Sequence, residues 1–207
     1  MSSTPRSADQ RVARGDATRS QILAAAREVL AADGYSGTST RAVADRAGVQ
    51  LSLVHYHFGG KQGLLLEVLE RENELLLQRQ HKLYAAPGPL ADKWRVACDF
   101  LDEDIHSGYV RVLWELWAAG LADEDLAAGW RAAMAGWRSL LESVYAAWAD
   151  DLGLELPISA RAMATLIGNL FEGIEIELLA GVPPEQAPHR EVLEAIGVLI
   201  ERAESRA

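Results

Sequence analysis

The sequence predicts an all-α protein of about nine helices, with a small helix-turn-helix head and a larger helical body. Apolar residues recur at three- and four-residue spacing along most of the chain, as on one face of a helix. Gly and Pro interrupt that spacing between the predicted helices, and no segment reads convincingly as a strand. The 207 residues are 49% hydrophobic and 24% charged, which is enough to bury a sizeable core without disulfides.

The first 16 residues are polar, which predicts a flexible basic arm. Such an arm either adds phosphate contacts or is a frayed terminus without a role. Its arginines are Arg6, Arg11 and Arg14. The helical period begins at Thr18, and Thr18 with Gln21 fits a capping box that would start the first helix there.

Three short helices follow one another within about 40 residues. The second is predicted over Thr40–Ala47 and the third over Gln50–Phe58, with Val54 and Phe58 four residues apart on one apolar face. Gly48 lies in the tight turn between them, where a steep helix crossing requires a residue that tolerates positive φ. This order is that of a helix-turn-helix.

The rest of the chain also has the helical period. Further helices are predicted over Lys61–Tyr84, 90–107, 109–121, 123–151, Ser159–Ala180 and about His189–Ala203. The division of the chain is therefore predicted as an arm over 1–16, a head over 17–62 and a body over 63–207.

Charge is unevenly distributed between these parts. The formal net charge of −10 argues against nucleic-acid binding when the chain is taken whole. Residues 1–61, however, hold eight Lys/Arg and five Asp/Glu, whereas residues 62–207 hold twelve and twenty-five. A basic head could face an anion, while the acidic body would be repelled by DNA.

Several classes of site are not expected. Gly59-Gly60-Lys61-Gln62 is not a P-loop, and no nucleophile elbow or HExxH motif is present. His55 and His57 lie about 200° apart around a helix and cannot easily share a metal. We therefore expect no catalytic residue, no metal and no cofactor. The single Cys98 and the lack of a signal or membrane-spanning segment predict a cytoplasmic protein without a membrane partner.

Residues 18–66 closely resemble the N-terminal domain of the TetR family of transcriptional repressors. The resemblance lies in Thr18-Arg19, Ile22 to Ala26, Gly34-Tyr35, Thr38 to Thr40, Val43-Ala44, Ala47 to Val49, Val54 to Phe58 and Lys61. It implies a dimeric regulator that binds a palindromic DNA operator through the helix at 50–58 and is released by a small-molecule effector. The chain departs from the family at His55, where Tyr is usual, and at Leu53, where a small Thr is frequent; the operator sequence stays open.

The residues expected to contact DNA lie on the outward side of the second and third helices and at the start of the fourth. They are Thr40, Arg41, Gln50, Leu51, Ser52, His55, Tyr56 and Lys61. Gln50 can pair with adenine and Leu51 can pack on a thymine methyl group, whereas Lys61 suits a phosphate. The alternative for Tyr56 and His57 is that both are half-buried packing residues.

The last two helices are predicted to form the homodimer interface, because Ser159–Ala180 is apolar around more than one side. The candidate interface residues are Met163, Leu166, Ile167, Leu170, Ile174, Ile196 and Leu199. Burial within one protomer is the alternative, and both are expected in part.

Six tryptophans in the middle helices are many for this length. Clustered indoles predict the wall of an effector pocket, with a simply packed core as the alternative. The candidate pocket residues are Phe100, His106, Tyr109, Trp114, Trp117, Trp137 and Asn169, with Glu115 as a further polar group. Such a wall would favour flat or cationic lipophilic ligands.

Two other functions remain open from the sequence. The chain could be a helical enzyme or small-molecule carrier that does not bind DNA, or a helical adaptor for another protein. Residues 38–61 discriminate between them, because neither alternative requires a glycine turn followed by Lys61 at the start of a helix.

Overall fold

The computed structural model describes residues 5–206, and among their side chains those of residue 10 and of residues 12–206. The described chain is all helical, as predicted. Its nine helices are α1 (Pro5–Gly37), α2 (Thr40–Ala47), α3 (Leu51–Phe58), α4 (Lys61–Ala85), α5 (Leu90–His106), α6 (Tyr109–Gly120), α7 (Glu124–Leu152), α8 (Ala160–Leu179) and α9 (His189–Glu204). No helix in this range has the length and apolarity that crossing a bilayer requires.

The structure corrects the prediction for the N-terminus. Helix α1 extends back to Pro5, so the part of the expected flexible arm that is described is helical; residues 1–4 lie outside the described range. Thr18 is therefore inside the helix, where its hydroxyl donates to the Arg14 carbonyl at 2.9 Å and does not cap. A serine or threonine hydroxyl that bonds the carbonyl four residues earlier is compatible with a continuing helix.

The chain folds into two compact units whose boundary differs from the predicted one at residue 62. The smaller unit contains the chain up to Arg71 together with Glu115–Trp130. The larger unit contains Glu72–Trp114 and the chain from Arg131 onward. Helices α4, α6 and α7 therefore contribute to both units, which a division by sequence position alone cannot anticipate.

The smaller unit has a continuous apolar core that fixes the three N-terminal helices. One fully buried side chain from each of its first four helices shows the packing: Ile22 on α1, Val43 on α2, Val54 on α3 and Leu64 on α4. Leu116 of α6 and Leu126 of α7 are also completely buried. Burying an aliphatic side chain contributes about 1.5–3 kcal/mol, so this core holds α2 and α3 in one arrangement.

The core of the larger unit is rich in aromatic side chains and lies mainly between α5, α7, α8 and α9. The Trp94 indole N–H donates to the Leu193 carbonyl at 2.8 Å. The Trp94 ring also meets Phe171 edge-on, with centroids 5.7 Å apart, and Phe171 meets Trp137 in the same way at 6.2 Å. Core packing therefore accounts for the positions of Trp94 and Trp137. Core packing was the alternative to the prediction that the tryptophans form the wall of an effector pocket.

Candidate functional site

The turn between α2 and α3 has the geometry that the sequence predicts. The Ser39 hydroxyl accepts from the Ala42 N–H at 3.1 Å and caps the start of α2. Gly48 ends α2 with φ 65°, in the left-handed region that glycine adopts without strain. Because Val54 and Phe58 are buried beneath α3, the opposite side of that helix is turned outward.

That outward side carries most of the side chains expected to contact DNA. Gln50, Ser52 and His55 are exposed, and Tyr56 is 81% exposed. Leu51 is half-buried, and Leu53, which was not among the expected contacts, is 36% exposed. A short helix with a polar exposed side can enter a major groove of DNA while the apolar side chains on its other side stay packed in the protein core.

The start of α2 supplies a second part of the same surface. Arg41 is exposed and Thr40 is half-buried. The interpretation of Tyr56 as a packing residue is wrong, because most of its surface is open. The same interpretation holds for His57, which is half-buried with its ring 5.0 Å from the Tyr56 ring and 6.0 Å from the Phe58 ring.

Lys61 lies at the start of α4 and is engaged within the smaller unit. Its ammonium donates to the Tyr35 carbonyl at 2.7 Å and lies 3.9 Å from the centre of the Tyr35 ring. Partial burial lowers the pKa of Lys61. An ammonium has three donors, so this contact leaves N–H groups for a phosphate oxygen.

Glu115 of α6 holds the end of α1, where the backbone at Gly34 leaves the helical conformation; the segment from Gly34 to Ser39 is called the α1–α2 turn. One carboxylate oxygen accepts from the Tyr35 N–H at 2.8 Å. Gly34 has φ 70°, and a Cβ at this position would come within 2.9 Å of that carboxylate. The Thr38 hydroxyl donates to the Gly34 carbonyl at 2.7 Å. Glu115, predicted as a polar group of the effector pocket, therefore holds the α1–α2 turn.

Within the larger unit, three of the predicted pocket residues lie near the charged side chains of Glu175 and Arg79. Tyr109 is buried, and the Trp114 indole N–H donates to a Glu175 carboxylate oxygen at 3.0 Å. The Arg79 guanidinium lies 4.3 Å from the centre of the Phe100 ring. Glu175 was not expected from the sequence, since it is one of three glutamates on α8 and the sequence does not indicate which of them meets a tryptophan.

Three predicted pocket residues lie elsewhere. His106 is exposed, and its Nδ1 is 2.7 Å from the carbonyl oxygen of Asp102 on the same helix. Asn169 is exposed on α8. Trp117 belongs to the smaller unit and is 37% exposed. Trp114 and Trp117 are three residues apart on α6, but the boundary between the two units falls between them.

An open apolar groove of about 460 Å³ runs between α8 and α9. Six of the seven residues predicted for the dimer interface line it: Met163, Leu166, Ile167, Leu170, Ile196 and Leu199. Leu166 and Leu199 are 58% and 61% exposed. Ile174 is 4% exposed and belongs to the core of the larger unit, so its assignment to the interface is corrected.

The comparisons with known proteins agree with this geometry. Residues 22–68, which include α2, the Gly48 turn and α3, match the family described as bacterial regulatory proteins, tetR family. Residues 22–68 therefore belong to the TetR family. The match coincides with the helices that present the exposed side of α3, and it confirms the resemblance seen in the residues.

Relatives of this TetR-family chain extend the likeness beyond the head. The HTH-type transcriptional regulator BetI of Burkholderia thailandensis is 27% identical over 169 residues, which is 80% of this chain and 84% of BetI. The HTH-type transcriptional activator FasR of Mycolicibacterium smegmatis is 33% identical over 104 residues, 48% of this chain and 47% of FasR. A TetR-family regulator structure from Agrobacterium tumefaciens superposes with TM-score 0.74 at 19% identity, covering 87% and 98% of the two chains.

Membership of the TetR family decides between the functions that the sequence left open. The chain is a transcriptional regulator with a helix-turn-helix DNA-binding domain, and it is not an enzyme. Across residues 5–206, the His, Cys, Asp and Glu side chains form no group that could hold a metal ion.

Proposed function

We propose that this TetR-family regulator is a cytoplasmic homodimeric repressor that binds a palindromic operator and is released by a small lipophilic or aromatic effector. The observation that carries the DNA-binding part is the exposed side of α3, with Tyr56 81% exposed above a completely buried Val54. In this proposal Gln50 and Leu51 read bases, and Thr40, Arg41, Ser52, His55, Tyr56 and Lys61 position the backbone.

The groove between α8 and α9 supports the homodimer. Its lining is apolar, and Leu166 and Leu199 would remain in water if the chain were a monomer. A two-fold interface brings the same groove of two protomers together and presents two copies of α3. The two copies would then fit half-sites about 34–36 Å apart, or a multiple of that distance.

Two helices can carry the effector signal because each contributes to both units. Helix α4 changes unit after Arg71, and α6 changes unit after Trp114. Trp114 donates to Glu175 in the larger unit, and the next residue, Glu115, accepts from Tyr35 in the smaller one. Neighbouring residues of one helix move together, so an effector that displaces Trp114 shifts the α1–α2 turn. A coupling of about 1–3 kcal/mol is typical of such regulators.

The salt dependence of DNA retention tests the proposed function. The logarithm of affinity for sheared DNA should fall linearly with the logarithm of salt concentration, with a slope of about −0.9 per neutralised phosphate. Lys61→Ala should weaken binding to all sequences and reduce that slope by about one. Salt-independent retention, or none, contradicts the proposal.

Lys93→Ala is the matched control for that experiment. Lys93 donates to the Tyr84 carbonyl at 3.0 Å, which is the same kind of contact that Lys61 makes to Tyr35, but it lies in the larger unit. The slope should be unchanged in this variant. An unchanged slope in Lys61→Ala as well would show that Lys61 acts only through Tyr35.

A further inference from the structure

The interior of the larger unit around Tyr109 is rich in charged groups. The carboxylates of Glu175, Asp104 and Glu72 all raise the pKa of the buried Tyr109 hydroxyl, after burial itself, while Arg79 lowers it. Four helices supply these groups: α4, α5, α6 and α8. Three acids against one base leave this region short of positive charge.

Most acids here have a basic partner, but Glu175 does not. Arg79 pairs with Asp104 through both guanidinium ends. Arg138 of α7 donates to Glu172 at 2.7 Å. Among the described residues Glu175 accepts only from the neutral Trp114 indole, at 3.0 Å. A half-buried carboxylate with one neutral donor is a poorly compensated anion, which favours its protonation or the approach of a cation.

A second hydrogen-bond acceptor in the larger unit also lacks a donor. The Asn73 Oδ1 on α4 is buried and has no hydrogen-bond partner. It follows Glu72 in the chain, which is one of the acids acting on Tyr109. The Nε atoms of Arg79 and Arg138 also lack a partner, but both guanidinium groups are already paired with carboxylates through their other nitrogens.

The aromatic side chains near these acids are suited to a cation. The Arg79 guanidinium already lies over the Phe100 ring at 4.3 Å, which shows that this interior holds a positive charge against an aromatic face. Trp114 and Tyr109 flank the Glu175 side of the same region. An anionic ligand would instead meet Glu72, Asp104, Glu172 and Glu175.

We propose that the effector of this regulator is a lipophilic cation whose ammonium, guanidinium or quaternary nitrogen lies against the Glu175 carboxylate beside Trp114 and Tyr109. The inference rests on the proposed function, since it names the chemical class of the ligand that the larger unit binds. The apolar part of the effector would pack against the aromatic side chains, and its positive charge would pair with the Glu175 carboxylate.

The protonation of Glu175 makes binding of the cation dependent on pH. Burial, with Asp104 and Glu172 nearby, raises the pKa of Glu175 to about 8, while the Trp114 hydrogen bond opposes that rise. At pH 7 the free protein therefore holds a proton that the cation must displace. Affinity for the cation should rise about tenfold per pH unit below pH 8 and level off above it.

Three probes that share a benzene ring with a trimethyl-substituted nitrogen or carbon test the charge preference. Binding of phenyltrimethylammonium, tert-butylbenzene and 4-tert-butylbenzoate to the full chain is measured by tryptophan fluorescence at pH 8.5. The cation should bind at least about tenfold more tightly than the neutral probe, and the anion most weakly. Equal affinity for the neutral probe, tighter binding of the anion, or no binding of the cation at about 10 mM would overturn the proposal.

Two single substitutions on α8 test the position. Glu175→Gln keeps an oxygen for the Trp114 indole and should weaken cation binding about tenfold or more, without the pH dependence. Glu172→Gln makes the same charge change one turn away and should alter affinity less than about threefold. Equal losses in both variants, or none in Glu175→Gln, contradict the assignment. Binding of each protein to DNA without any probe is measured in parallel. If a protein still binds DNA but the probes do not bind in the expected order, the result refutes the proposed effector class and leaves the proposed DNA-binding function intact.

Discussion

A chain carrying Leu166→Asp and Leu199→Asp is expected to be a folded monomer that binds its operator at least about 100-fold more weakly. Both leucines are more than half exposed in the single chain and line the apolar groove between α8 and α9. Burying each would contribute about 1.5–3 kcal/mol, and a two-fold interface buries each of them twice. A monomer loses the second α3 and the joint binding of two half-sites.

Sedimentation and operator titration measure the two effects on the same samples. Leu121→Asp is the matched control, because Leu121 is 74% exposed but belongs to the smaller unit and does not line the groove. This variant should remain dimeric. A double variant that stays dimeric at micromolar concentration would show that the interface lies elsewhere.

Glu115→Ala is expected to lower operator affinity about tenfold and to abolish the response to the effector. The substitution removes the acceptor of the Tyr35 N–H and frees the turn in which Gly34 has positive φ. A hydrogen bond to a charged group contributes about 1.5–3 kcal/mol. Loss of this hydrogen bond should make the α1–α2 turn less rigid. It should also remove the connection that runs from Trp114 through Glu115 to Tyr35 in the smaller unit.

Glu115→Gln provides the conservative comparison, because its amide oxygen can still accept from the Tyr35 N–H. Operator affinity and effector response should both be largely restored in this variant. If Glu115→Ala binds its operator like the original chain and still responds to the effector, then α6 does not connect the two units in the proposed way.

The head could be predicted closely because its signals are local. Helix α2 has the predicted bounds, and Gly48 has the predicted positive φ. Val54 and Phe58 are buried because they lie four residues apart on one side of a short helix. The exposed DNA-facing residues follow from that orientation without any knowledge of the rest of the chain.

The contacts that the prediction missed join residues far apart in the sequence. Glu115 meets Tyr35 across 80 residues, and Trp114 meets Glu175 across 61. Helical periodicity predicts which side of a helix is apolar, but not which other helix that side meets. The pocket prediction therefore named Glu115 as its acid, whereas the acid that meets Trp114 in the structure is Glu175.

The start of α1 was predicted too late for a different reason. Polar composition was taken as disorder, but α1 begins at Pro5 and its later turns are anchored by a buried core. A capping-box pattern such as Thr18 with Gln21 is also tolerated in a helix interior. Gln21 instead donates to the Ala47 carbonyl at 2.6 Å and joins α1 to α2.

Selection of bound fragments from a random DNA library, with the full chain and with Gln50→Ala, tests the central claim most directly. The claim is that the exposed side of α3, presented twice by a dimer, reads DNA. The selected sites should be palindromes with half-sites centred about 10–10.5 base pairs apart or a multiple of that, and Gln50→Ala should relax the preference at one base pair in each half-site. No enrichment, an asymmetric site, or an identical site in Gln50→Ala would contradict it.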